Sequence, residues 1–128
     1  MENGRLFAIP LEFMPNPDGD NRLDVDIREG ETSVTYFSSS RAIGGARYIK
    51  IVFTDCYSVR YFTTEEHEKH CPGFNKVESD FAEIRNSPWI QTLPDYVQSL
   101  RHFIFGINHC FFECVAREYR IESQPCNT

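Results

Sequence analysis

The chain reads as an α+β protein: an antiparallel, hairpin-rich sheet of about seven strands, with two or three short helices gathered between residues 64 and 99. Three observations predict this. Residues 100–121, LRHFIFGINHCFFECVAREYRI, alternate in the manner of a buried hairpin. Four further runs alternate with period two, and the helix-compatible segments cluster in one interval. With Asn108 and His109 as a two-residue turn, Phe103, Phe105 and Ile107 share a face with Cys110, Phe112 and Cys114. The opposite face mixes Ile104, Phe111 and Val115 with His102 and Glu113, so the pair is buried on one side and partly covered on the other.

The remaining elements follow in chain order. Phe7, Ile9, Leu11 and Phe13 alternate in a first strand over residues 5–13, which Pro10 places at an edge or bulge. MPNPDGDN is a loop, and Leu23, Val25 and Ile27 then alternate with Asp24, Asp26 and Arg28. A four-residue loop, Glu29–Thr32, pairs Ile27 with Val34 and Val25 with Tyr36. SSSRAIGGA is a surface connection. Ile49, Ile51 and Phe53 are set against Tyr57, Val59 and Tyr61 by a three-residue loop, giving a further hairpin. Thr63 or Thr64 caps a short helical turn ended by Pro72 and Gly73, and residues 78–86 form another helical segment with Phe81 and Ile84 three apart. Ser87 before Pro88 is an N-cap followed by an N1 proline. It starts a helix carrying Trp89, Ile90 and Leu93 that Pro94 interrupts, with Tyr96, Val97 and Leu100 able to continue its face.

The totals fit one globular domain spanning residues 1–128, with a tail that frays from about residue 122. The chain has 128 residues, is 41% hydrophobic and 25% charged, and holds eleven Phe, six Tyr and one Trp. A net charge of −6 argues against nonspecific association with nucleic acid or an anionic membrane and favours a basic partner. No signal-peptide pattern opens the chain and no apolar run approaches the roughly 20 residues of a membrane span, so a cytoplasmic protein is expected. Five cysteines, at 56, 71, 110, 114 and 126, have no framework spacing and read as free thiols. Cys110 and Cys114, on one face of one strand, stand roughly 13 Å apart, beyond the ~7 Å that a disulfide spans.

Four features bear on function. His67, His70 and Cys71, at i, i+3 and i+4, would face one way on a helix, and His109 or Cys110 could complete a zinc tetrahedron. CxxC and HExxH are lacking, and an exposed polar turn is the plainer reading, so no metal or other cofactor is assigned. His102 and Glu113 become diagonal neighbours in the predicted register, able to act as base and acid, although a structural cross-strand pair needs no further assumption. Gly44-Gly45 lacks nucleotide-loop spacing. Acidity is concentrated: residues 18–31 and 65–83 each carry −4 against +2 for the rest. Two solvated faces would explain this, and so would a docking surface for a basic protein. The candidate partner-binding residues are Asp24, Asp26, Glu29 and Glu31 on one hairpin and Glu65, Glu66 and Glu68 further on. Trp89 fits core packing better than a partner anchor.

The order SPWIQTL followed by LRHFIFGINHCFFECVA resembles the C-terminal half of small bacterial proteins in which a Ser-x-Trp helix leads into an Arg-His or Lys-His strand and a Glu-Val-Ala-like return strand. Compact acidic proteins of this build are similar to the immunity proteins of polymorphic or contact-dependent toxin systems. The resemblance covers residues 46–121 and supplies no catalytic residue. It implies a noncatalytic inhibitor that binds a toxin domain. A small metal-dependent or acid/base enzyme and a structural subunit of a larger assembly are the alternatives.

Overall fold

The computed structural model describes residues 5–12, 15, 23–40, 45–63, 81–107 and 110–125. They form two antiparallel sheets packed face to face. Sheet A contains β1 (Arg5–Ala8), β5 (Ser58–Thr63), β6 (Phe81–Arg85), β7 (Arg101–Ile107) and β8 (Cys110–Ala116), in the order β1-β6-β7-β8-β5. Sheet B contains β2 (Asp24–Arg28), β3 (Glu31–Ser40), β4 (Gly45–Thr54) and β9 (Glu118–Pro125), in the order β2-β3-β4-β9.

The hairpin β7–β8 has the register that its alternation predicts: Phe103 opposes Cys114, Phe105 opposes Phe112 and Ile107 opposes Cys110. Its inner face, with Phe81, meets Val34, Tyr36, Ile49, Ile51 and Phe53 of sheet B in the main core. Phe53 is central, with its ring 5.4 Å from Phe103, 5.7 Å from Phe112 and 6.0 Å from Phe81, and Tyr36 stacks on Phe105 at 5.1 Å. Burial of each such ring stabilises the fold by about 1.5–3 kcal/mol. The outer face of sheet A carries a second apolar cluster, Ala82, Ile84, Ile104 and Phe111, with Leu6 against it.

Several expectations are corrected. Among the described residues helix is confined to α1 (Pro88–Gln91) and a 3-10 turn over Asp95–Val97, so the architecture is antiparallel β with nine strands rather than α+β with two or three helices. The segment expected to be helical over residues 78–86 contains β6. Phe81 enters the main core while Ala82 and Ile84 enter the outer cluster, and a strand buried on both faces loses the alternation that marks half-buried ones. β4 and β5 do not form a hairpin. β4 pairs with β3 and β9, and β5 pairs with β8, so the loop between them crosses from sheet B to sheet A.

Asp55, with φ of 51°, makes that turn. The return crossing from β8 to β9 runs beside it, tied by a hydrogen bond from Arg117 N–H to the Thr54 carbonyl at 2.9 Å. The β2–β3 loop is two residues, Glu29 and Gly30, and pairs Ile27 with Thr32 and Val25 with Val34; Gly30 has φ of 78°. The shift from the expected register is two residues, which leaves each side chain on its predicted face. Residues 122–125, expected to fray, pair with β4 as far as Pro125 opposite Arg47. The first strand is shorter than expected and lies at the edge that Pro10 suggests. The expected helical turn after Thr64 lies outside the described residues.

Candidate functional site

The acidic hairpin is an edge of sheet B. Asp24 and Asp26 are exposed on its outer face and Glu29 is exposed in the turn, while Glu31 is half-buried opposite Arg28. Arginines partly offset them: Arg28 Nε donates to Asp26 at 3.0 Å, and Arg120 lies 3.7 Å from Glu31 while donating to Glu122 at 2.9 Å. Val25 packs against the core margin, and one pleat further along Ile27 is 64% exposed. This edge therefore offers carboxylates on its outer face and in its turn, with one exposed apolar side chain on the opposite face of the same strand. Glu65, Glu66 and Glu68 lie outside the described residues, as do His67, His70, Cys71 and His109. Among the described residues no group of three His, Cys, Asp or Glu is placed to hold a metal ion.

A second constellation lies on the outer face of sheet A. The β7–β8 register makes His102 and Glu113 the predicted diagonal neighbours, and β5 sets Arg60 directly opposite Glu113. After β6, Asn86 with φ of 55° turns the chain into Ser87, whose extended backbone starts α1 and whose Oγ accepts the Ile90 N–H at 3.2 Å. The same Oγ lies 2.7 Å from His102 Nδ1, and His102 Nε2 lies 2.5 Å from Glu113 Oε1. Arg60 donates to that oxygen at 3.0 Å, and its guanidinium stacks 3.8 Å above the Trp89 ring, which meets His102 edge-on. Ser87, His102 and Glu113 are all buried.

The electrostatics follow from the packing. Burial alone would raise the Glu113 carboxyl pKa, but the hydrogen bond and charge of His102, with those of Arg60, outweigh it and hold it below the ordinary value. An ionised Glu113 only accepts, so Nε2 carries a proton toward it and Ser87 donates its hydroxyl to Nδ1 when the ring is neutral. The order Ser–His–Glu is that of a nucleophile relay with the two ring nitrogens exchanged. Ser87 and His102 also line a cleft of about 330 Å³ with Glu83, Arg85, Gln91 and Gln98. Two features oppose nucleophilic use: a lone pair of Ser87 is committed to α1, and Arg60 draws charge from the carboxylate.

Sequence reading found His102 with Glu113 and the capping role of Ser87, but not the bond between Ser87 and His102. Arg60 and Trp89 were missed as members of the cluster. The available signal was Glu113 itself, since a carboxylate in a central strand calls for a cationic partner on a neighbouring strand. No helix among the described residues is long and apolar enough to cross a membrane. Comparison with protein-family models, curated proteins and solved structures gives no match.

Proposed function

We propose that the protein is a noncatalytic, immunity-type inhibitor that acts in the cytoplasm by binding a basic toxin domain through the β2–β3 edge. The carrying observation is an edge strand that exposes Asp24 and Asp26 on its outer face, Glu29 in the turn that follows, and, on the opposite face, Ile27, an apolar residue 64% open to solvent. Clustered carboxylates speed encounter with a basic surface, and an exposed apolar side chain on the same edge supplies affinity once water is expelled. The overall charge of −6 and the resemblance of residues 46–121 to immunity proteins support the same reading.

The test is co-expression and co-purification with the toxin domain encoded in the adjacent gene. Growth rescue and a stable complex are expected, with association slowing as salt rises because the Debye length falls from about 10 Å at 0.1 M to about 3 Å at 1 M. An adjacent gene with no such domain, or an association rate indifferent to salt, would overturn it.

The Ser87–His102–Glu113 chain beside its cleft favours one second reading, a small acid/base enzyme. Covalent labelling of Ser87 by a fluorophosphonate, lost in Ser87→Ala, would support that reading; an unlabelled Ser87 would leave the network a structural role.

A further inference from the structure

Sheet B ends in two edges, and the one opposite the acidic hairpin is β9. Among the described residues β9 pairs with β4 on one side and with no strand on the other. Every residue of it except Tyr119 is exposed, and its only proline is the last residue, so each of residues 118–124 has a backbone N–H. A long, regular edge of this kind leaves alternate N–H and C=O groups aimed outward, a template for one more antiparallel strand. Its side chains divide by parity. Tyr119 and Ile121 lie opposite Phe53 and Ile51 on the core-facing side, whereas Arg120 and Glu122 lie opposite Val52 and Lys50 on the outer face. Tyr119 packs on the rings of Phe81 and Phe103, but Ile121 stays 42% exposed although its neighbour Ile51 is fully buried.

The triplet Arg120-Ile121-Glu122 is complementary to itself. When two copies of the strand run antiparallel about a two-fold axis at Ile121, Arg120 of each faces Glu122 of the other and the two Ile121 side chains meet at the axis. Residues 118–124 all find a partner in that register, with Glu118 facing Gln124 and Tyr119 facing Ser123. Other registers are poorer. An axis at Arg120 or Glu122 sets like charge against like, and an axis at Tyr119 opposes Glu118 to Arg120 but pairs only residues 118–120. β2 holds the similar triplet Asp26-Ile27-Arg28, yet it ends at Arg28, so an axis at Ile27 pairs only residues 26–28. In the single chain Arg120 donates to its own Glu122 at 2.9 Å and lies 3.7 Å from Glu31, exposed pairs that are weakly held and free to exchange.

We propose that a second copy of the chain docks on this edge, pairing β9 with β9 about a two-fold axis at Ile121. The contact joins two four-stranded sheets into one continuous sheet. Main-chain hydrogen bonds supply affinity, the apposed Ile121 side chains exclude water at the axis, and the two Arg120–Glu122 pairs fix the register. Both β2–β3 hairpins lie at the far ends of the joined sheet, so the dimer presents two acidic edges at once. Self-pairing through β9 is independent of partner binding at those edges.

The test is the mass of the purified full chain by sedimentation equilibrium at micromolar concentrations, where twice the 14.9 kDa of one chain is expected. Arg120→Glu alone and Glu122→Arg alone each set like charges against one another across the axis, and each should weaken dimerisation about tenfold or more. Mixing the two variants opposes acid to base again, so a heterodimer should return at the concentration where the wild type dimerises, an outcome that no effect within one chain can mimic. A wild type of single-chain mass throughout, a dimer unmoved by either reversal, or a mixture that stays monomeric would overturn the proposal. If either variant fails to fold, amide hydrogen exchange of the wild type decides: exchange of the β9 amides should slow as concentration rises, and exchange indifferent to concentration would overturn the proposal.

Discussion

The buried network on sheet A and the acidic edge of sheet B are built from the same groups, carboxylates beside arginines, and burial separates them. Glu113 is wholly buried with Arg60 and His102 on one oxygen, whereas Asp26 and Arg28 meet at the same 3.0 Å in open solvent. Removing one member of a buried pair costs about 3–5 kcal/mol because the other is left without its counter-charge. An exposed pair contributes about 0–1 kcal/mol. Equal distances therefore describe unequal interactions, and the weaker site is the one free to exchange its partners for those of another protein.

Replacing Glu113 is the strongest way to break this comparison. Glu113→Gln keeps the shape but removes the charge, and urea denaturation should show a loss of about 3–5 kcal/mol. Wild-type stability would mean that the pairs on sheets A and B differ less than burial implies. The same variant sharpens the pH dependence. The folded-state pKa of Glu113 lies below its ordinary 4.5, so its contribution is present above that value and lost as pH falls through the folded pKa. Stability of the wild type should therefore drop more steeply on acidification than that of Glu113→Gln.

Ser87→Ala removes the cap of α1 and the Nδ1 partner of His102 together, with an expected cost of about 1–2 kcal/mol in the same measurement. A smaller loss would separate α1 from the network. At the other region, Asp24→Lys with Asp26→Lys should change stability by only about 0.5 kcal/mol while reducing affinity for a basic partner about tenfold or more. Ile27→Ala should act in the same direction mainly through faster dissociation, measured by surface-immobilised binding kinetics. Unchanged affinity in both would move the interface away from the edge.

The reach of local sequence ends at identifiable residues. Period-two alternation, with Asn108 and His109 between the runs, was enough to set the β7–β8 register and the diagonal approach of His102 to Glu113. Ser87 and Pro88 announced the start of α1, because a hydroxyl acceptor and a proline with no N–H suit adjacent positions at a helix start. These features depend on residues close in the chain, where covalent geometry limits the choices.

Partner strands were not determined in this way. Alternation states which side chains share a face but not which strand lies alongside, so β4 and β5 looked like a hairpin although they close different sheets. FAEIR took strand form because a place between β1 and β7 satisfied its backbone and buried both of its faces. The same tertiary choice carried β9 across to sheet B and brought Arg60 to Glu113 and Ser87 to His102. Each of these contacts depends on the global packing of two sheets, in which many separate burials are satisfied at once and no single segment decides.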